Sequence, residues 1–297
     1  MRILVASDGS KWAHQAARLA CRLARTVGAD VTLLGVIERA ANEPRFRNAL
    51  QALHTELSEK RNCTNQLLFR KGDPASEIMT AVAEGQYHLV AVGPRGGRLR
   101  DLLLGTTTRR LVRSLKVPLL VVTGPPRHIR RILVCTSGEK PGEHDAYVGG
   151  ALAGLLDADV TVLHVMSQVP LVPDARLEDL ERDAGELMRS GAREGEHLER
   201  LLAILDAHGL QPGQRRAVIR HGLVLDEILK EAREGDYDLI VMGAHKVPEN
   251  APWSGLRLLL QEDLPAQVIR QTRRPVLLVN SVGPLPWETL DVPLSRD

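Results

Sequence analysis

The chain has 297 residues, 43% hydrophobic and 26% charged, a length that predicts two domains at ~100–200 residues each and a composition ordinary for globular proteins. Aromatic residues make up only 3%, so the cores must be built from Leu, Val, Ile and Ala, and no stretch approaches the ~18 apolar residues of a membrane span. The net charge of +2 hides a split: residues 1–126 carry 19 basic and 10 acidic residues (+9), and the remainder 20 and 27 (−7), which favours mutual docking of the halves or an anionic ligand in the first half alone.

Taken in chain order, Ile3-Leu4-Val5 is a short apolar run that predicts a buried strand. It is too short for the apolar stretch of a secretory signal. Ala13, Ala16, Ala17, Leu19, Ala20, Leu23 and Ala24 then form one apolar stripe of a helix about four turns long. Val31–Val36 predicts the second strand. Asp73 followed by Pro74-Ala75-Ser76-Glu77-Ile78 predicts a helix capped by Asp73 with proline in its first turn. His88–Gly93 predicts a fourth strand, Gly105-Thr106 opens a further helix, and Pro118–Val122 predicts a fifth strand. Gly124-Pro125-Pro126-Arg127-His128 reads as a linker.

Beyond the linker the pattern returns. Ile3-Leu4-Val5 recurs as Ile132-Leu133-Val134, and Val31–Val36 as Val160–Val165, both at an offset of 129. Gly72 with Glu77-Ile78 recurs as Gly222 with Glu227-Ile228, and His88–Gly93 as Asp238–Gly243, both at 150; Pro118–Val122 recurs as Pro275–Val279 at 157. The jumps place insertions of 21 and 7 residues in the second copy. Two copies of this length are a domain duplication, because solenoid repeats are shorter. Each copy alternates five strands with four helices. With right-handed crossovers this predicts α/β architecture: two tandem, doubly wound, five-stranded parallel-sheet domains of Rossmann-like type. The expected boundaries are 1–126 and 127–282, with a tail at 283–297 that carries Trp287. The first insertion, Asp174 to His208, places Leu177, Leu180, Leu187, Leu198, Leu201, Leu202 and Leu205 at helical spacing. It predicts an amphipathic helix on its own sheet.

In an open α/β sheet, ligands bind beyond the carboxyl ends of the strands at the topological switch point. Two segments of the first copy can meet there: Ala6-Ser7-Asp8-Gly9-Ser10, and the loop from Gly93 through Arg95, Gly96, Arg98 and Arg100 to Gly105-Thr106-Thr107-Thr108. Glycines let backbone N–H groups approach an anion. A helix N-terminus offers free N–H groups and a favourable dipole. Thr106 and Thr107 add hydroxyl donors. A glycine-rich turn with a threonine cap and solvated arginines would read alike. Asp8 has two readings, a cap on the first helix, a place for which Ser10 competes, or an acceptor for ribose hydroxyls.

Ile-Leu-Val-x-x-Asp-Gly-Ser at the start, Gly-Asp-Pro at 72–74, Leu-Val-Ala-Val-Gly at 89–93, the glycine loop and Val-Pro-Leu-Leu-Val-Val at 117–122 together resemble the universal stress protein family, over nearly the whole chain and as two tandem domains. The resemblance implies ATP as ligand, with Mg²⁺ able to accompany the phosphates, and a regulatory role in the stress response with little or no hydrolysis. It implies contacts at Ala6 and Asp8 (ribose), at Val36 (the adenine edge, through its backbone) and at Gly93, Gly96, Gly105, Thr106 and Thr107 (phosphates). The family's spacing Gly-x2-Gly-x9-Gly-Ser/Thr is kept at Gly93 and Gly96, but only eight residues separate Gly96 from Gly105. The fifth strands resemble the family's pairing edge, which predicts an intramolecular pseudo-dimer and leaves room for a homodimer.

The second copy departs from this pattern. Ser137 stands in place of Asp8 and Gln261 in place of Gly105, followed by Glu262 and Asp263, and 17 residues separate Gly243 from Gln261 against 11 in the first copy. Carboxylates at a helix N-terminus take the place of phosphate, so nucleotide is expected in the first domain only. Trp253 could serve a different, less anionic ligand there. The chain has no Gly-x4-Gly-Lys-Ser/Thr loop and no Gly-x-Gly-x2-Gly fingerprint. It offers no nucleophilic triad, no histidine–carboxylate metal pattern and no aromatic platform for nucleic acid. His14, His54 and His88 read as surface or cap residues. Cys21, Cys63 and Cys135 are widely spaced and suit neither a disulfide framework nor a metal cluster, which points to a reducing, cytoplasmic compartment. Two other functions stay open: a nucleotide-free adaptor, and a slow ATPase or adenylate-transferring enzyme.

Overall fold

The computed structural model describes residues 1–38, 43–61, 63–94, 105–125, 127–137, 141–166, 183–244 and 264–279. The first half runs β1 (Arg2–Ser7), α1 (Lys11–Val27), β2 (Asp30–Ile37), α2 (Glu43–Arg61), β3 (Thr64–Lys71), α3 (Pro74–Gly85), β4 (Leu89–Val92), α4 (Thr106–Ser114) and β5 (Leu119–Val121). The second runs β6 (Arg131–Thr136), α5 (Pro141–Leu156), β7 (Asp159–Met166), α6 (Ala184–Ser190), α7 (Arg193–Ala207), β8 (Arg215–His221), α8 (Val224–Glu234), β9 (Leu239–Gly243), α9 (Leu264–Gln271) and β10 (Val276–Val279).

Local chemistry sets the helix ends. Ser10 caps α1, its Oγ accepting the Ala13 N–H at 3.2 Å, and Gly28 closes the helix at φ 64°, where a left-handed residue satisfies the last carbonyls. Asp73 caps α3 ahead of Pro74. Within each half the strands pair in parallel, β3-β2-β1-β4-β5 and β8-β7-β6-β9-β10, and β5 and β10 then pair antiparallel, Leu120 opposite Leu277, to give one ten-stranded sheet. All the residues of β4, β5 and β10 are buried, as a sheet covered by helices on both faces requires.

The core forms two layers, one on each face of the sheet. One holds residues of α1, α2, α5 and α7; the other holds residues of α3, α4, α8 and α9. Both layers run across the junction of the halves. The linker is tied down beyond it: Thr123 Oγ1 donates to the Arg274 carbonyl at 2.9 Å, and Asp236 pairs with Arg127 at 3.1 Å and Arg274 at 2.7 Å. Because β5 and β10 run antiparallel, the carboxyl ends of β1 and β4 lie at one end of the sheet and those of β6 and β9 at the other. The molecule thus has two switch points facing opposite ways.

Two expectations change. Cys21, buried on α1, forms a disulfide with Cys63, just before β3, with Cα atoms 5.5 Å apart. The spacing of 42 residues hides this contact, because the end of α2 returns to the flank of α1. The wide separation of these two cysteines therefore carries no argument about compartment. The leucine-spaced insertion is not one helix either. Its described part is α6 and α7, separated where Gly191 at φ 65° ends α6. Leu187, Leu198, Leu201 and Leu205 are fully buried, while Leu177 and Leu180 lie outside the described residues, as does the tail at 283–297.

Candidate functional site

The first switch point is assembled by β1, β2, β4 and α4. β1 continues through Ala6 and Ser7, and Ser7 lies opposite Gly35 of β2. Asp8 follows at the strand's end, half-buried. Its Oδ1 accepts the Ser10 N–H at 2.9 Å, and the Ser7 hydroxyl accepts the Gly9 N–H at 3.2 Å. Helix capping thus falls to Ser10, and Asp8 shapes the turn that carries it. Gly93 follows β4, where a Cβ would collide with the backbone of Trp12 and Ala13. Only glycine lets the β4 segment lie flush on the first turn of α1, and this close approach joins the two segments singled out in the sequence.

Gly105 stands at the N-cap of α4 with no side-chain cap, and the Gly105 carbonyl accepts the Arg109 N–H at 3.0 Å. Thr106 is exposed, Thr107 half-buried and Thr108 buried, so the first two hydroxyls are the accessible ones. Val36 is half-buried on β2. Gly96, Arg95, Arg98 and Arg100 lie outside the described residues. Helix α2 forms a further wall that the sequence did not suggest. Phe46 and Leu50 pack on Gly9 and Gly35, and a Cβ on Gly35 would strike Leu50. In the first turns of α2, Glu43 pairs with Lys71 at 3.0 Å and Arg47 at 2.8 Å, and Lys71, then Arg47, hold its carboxyl below the ordinary value. Asp73, held below its ordinary value by Ser76 and then Arg110, ties α3 to α4.

The sequence model of the universal stress protein family matches residues 1–123 and again 128–280. The chain belongs to the universal stress protein family. It is 25% identical over 145 residues to the universal stress protein YxiE of Bacillus subtilis, a match covering 41% of this chain and 97% of that one. Its fold is similar to that of a universal stress protein from Archaeoglobus fulgidus, at 16% identity and TM-score 0.69, covering 93% of this chain and 97% of that one. A functionally unknown protein from Pseudomonas aeruginosa is also similar, at 20% identity and TM-score 0.60, covering 94% and 92%.

The second universal stress half fills its switch point differently. At positions matching Ser7 and Gly35 stand Thr136 and His164, both buried. Thr136 Oγ1 lies 2.9 Å from His197 Nε2 of α7, and the Thr136 carbonyl accepts from His164 Nδ1 at 3.4 Å. A hydroxyl bonded to an imidazole has the geometry of a nucleophile and its base. Here Gly142 closes over it, since a Cβ there would collide with Thr136 Oγ1, and both groups are more than nine-tenths buried. The pair is therefore packing, not a reactive dyad. Exposed Leu223 replaces Asp73 at the matching N-cap. Gln261, Glu262, Asp263 and Trp253 lie outside the described residues. No group of three or more His, Cys, Asp or Glu among the described residues could hold a metal ion, and no described helix is long and apolar enough to cross a membrane.

Proposed function

We propose that the first half binds one adenine nucleotide, ATP, and that the chain acts through its nucleotide state as a stress-response regulator. The observation that carries this reading is Gly93 lying flush on the first turn of α1, which places the Asp8 turn beside the strand that leads to α4. In this reading the Asp8 carboxylate accepts hydrogen bonds from the ribose, the Val36 backbone meets the adenine edge, and Ala6 lines the wall between them. Gly93, Gly96 and Gly105 bring backbone N–H groups to the phosphates, joined by the hydroxyls of Thr106 and Thr107. The open N-terminus of α4 suits an anion, and the +9 charge of residues 1–126 draws one in. Mg²⁺, when bound, enters with the phosphates.

The second half takes no nucleotide in this account. His164 occupies the room that Gly35 leaves, and Glu262 and Asp263 oppose phosphate at the sequence position where α4 offers N–H groups. The duplicated half serves as scaffold, its fifth strand covering that of the first, so that the chain is its own pseudo-dimer. Mass spectrometry of the purified protein should find adenine nucleotide, and ligand-free protein should gain thermal stability with millimolar ATP. No shift with ATP would favour the adaptor. Multiple turnover at ~1 s⁻¹ or faster would favour an enzyme.

A further inference from the structure

Three small residues of the first half are replaced by larger polar ones at matched positions of the second, and all three replacements meet. Ser7 and Gly35 become Thr136 and His164 at the offset of 129. The buried row Leu50, Leu53, Leu57 on α2 maps onto Leu198, Leu201, Leu205 on α7 at an offset of 148, which maps Ala49 onto His197. Thr136, His164 and His197 are 8%, 9% and 2% exposed. The imidazole rings lie 6.4 Å apart, centroid to centroid, and Thr136 bridges them, its hydroxyl on His197 and its carbonyl on His164.

We propose that Thr136, His164 and His197 form a proton-operated latch that pins α7 to the carboxyl ends of β6 and β7. With both imidazoles neutral the latch is closed. Protonation would place two like charges within a buried pocket that contains a hydroxyl and a carbonyl between them. Burial is the main cause that holds both rings below the ordinary imidazole value. The Thr136 carbonyl, then Glu194 of α7, favours a charged His164, and His221 at the end of β8 opposes it, so that burial outweighs them. Glu143 of α5 favours a charged His197, while His164, Arg200 and Arg193 oppose it. Glu143 is itself engaged by Arg200 at 3.4 Å. Asp145, buried further along α5, acts on Cys135.

A lowered pKa in the closed state means that the released histidines bind protons more readily than the packed ones. The latch is at full strength above the ordinary imidazole value of about 6.5. It weakens as pH falls from there towards the lowered values of the packed rings. Each unit of lowering is about tenfold in the opening equilibrium. Helix α7 flanks the second switch point as α2 flanks the first, so acid uncovers the second cleft.

Hydrogen exchange on the full-length protein, corrected for intrinsic rates and compared at about pH 7.5 and about pH 5, tests the latch with α2 as internal reference. The expected result is a loss of protection in the first turns of α7, around His197, of at least about tenfold and larger than in α2, and no such loss in the double variant His164→Asn, His197→Gln, which keeps His208, the C-cap of α7 that burial also holds below its ordinary value. Equal loss in both helices overturns the proposal, as does an acid response that survives in the double variant. Should that variant fail to fold, imidazole titration of the unaltered protein by NMR decides: values for His164 and His197 well below 6.5 support the latch, and values at or above it refute it.

Discussion

At the scale of single residues, glycines decide where the first switch point can form. Gly93 has no room for a side chain against the Trp12 and Ala13 backbone. Gly93→Ala should cost about 2 kcal/mol or more, the cost of overpacking against atoms that cannot yield, and weaken nucleotide binding by displacing α1. Urea unfolding and calorimetry would show both. Gly35→His, which installs the residue of the second half, should force Leu50 and Phe46 off the sheet and lower ATP affinity at least tenfold, read by the same titration. Asp8, Gly93 and Gly105 were legible in the sequence because turn chemistry and spacing mark them. Phe46 and Leu50 were not, because a wall contributed by α2 depends on how a helix packs 40 residues further along. The exchange of Gly35 for His164 was visible in the aligned strands, but what His164 meets there, His197 of α7, is set by tertiary packing.

At the scale of elements, the apolar stripe of α1 and the start of α3 could be read directly, since Asp73 and Pro74 act within one turn; the cap of α1 stayed open between Asp8 and Ser10 until the structure gave it to Ser10. The disulfide and the break at Gly191 could not. The first joins residues 42 apart, and the second needs a left-handed residue where leucine spacing alone suggests continuity. Replacing both Cys21 and Cys63 by Ala should cost about 2–4 kcal/mol, the usual stabilisation from closing a loop of this size. Unfolding of the unaltered protein in excess dithiol should show the same loss. In the second half Glu231, 4% exposed, joins α8 to β8 and to the turn before β9, accepting from Arg220 Nε at 2.9 Å and from the Tyr237 hydroxyl at 2.9 Å. Glu231→Ala leaves the Tyr237 phenol without its buried acceptor and Arg220 with Glu234 alone at 2.6 Å, and should cost about 2 kcal/mol in a urea titration.

At the scale of the whole molecule, the duplication is legible from offsets alone, while the single sheet depends on which strand edges meet. Leu119, Leu120 and Val121 are fully buried between β4 and β10, so the halves share their cores and cannot move independently. X-ray scattering should fit one fixed arrangement of the two halves, and a profile that needs two independently moving domains would contradict the shared sheet. The antiparallel junction sends the two switch points to opposite ends, one built from glycines and an open helix N-terminus, the other filled by Thr136, His164 and His197. The molecule therefore presents an asymmetric pair of clefts at the two ends of one sheet. Calorimetric titration of the full chain with ATP, beside the variant Gly105→Glu, tests this most directly. One nucleotide per chain, lost when a carboxylate is set at the N-cap of α4, is the result expected. Two nucleotides per chain, or unchanged affinity in the Gly105→Glu variant, would contradict it.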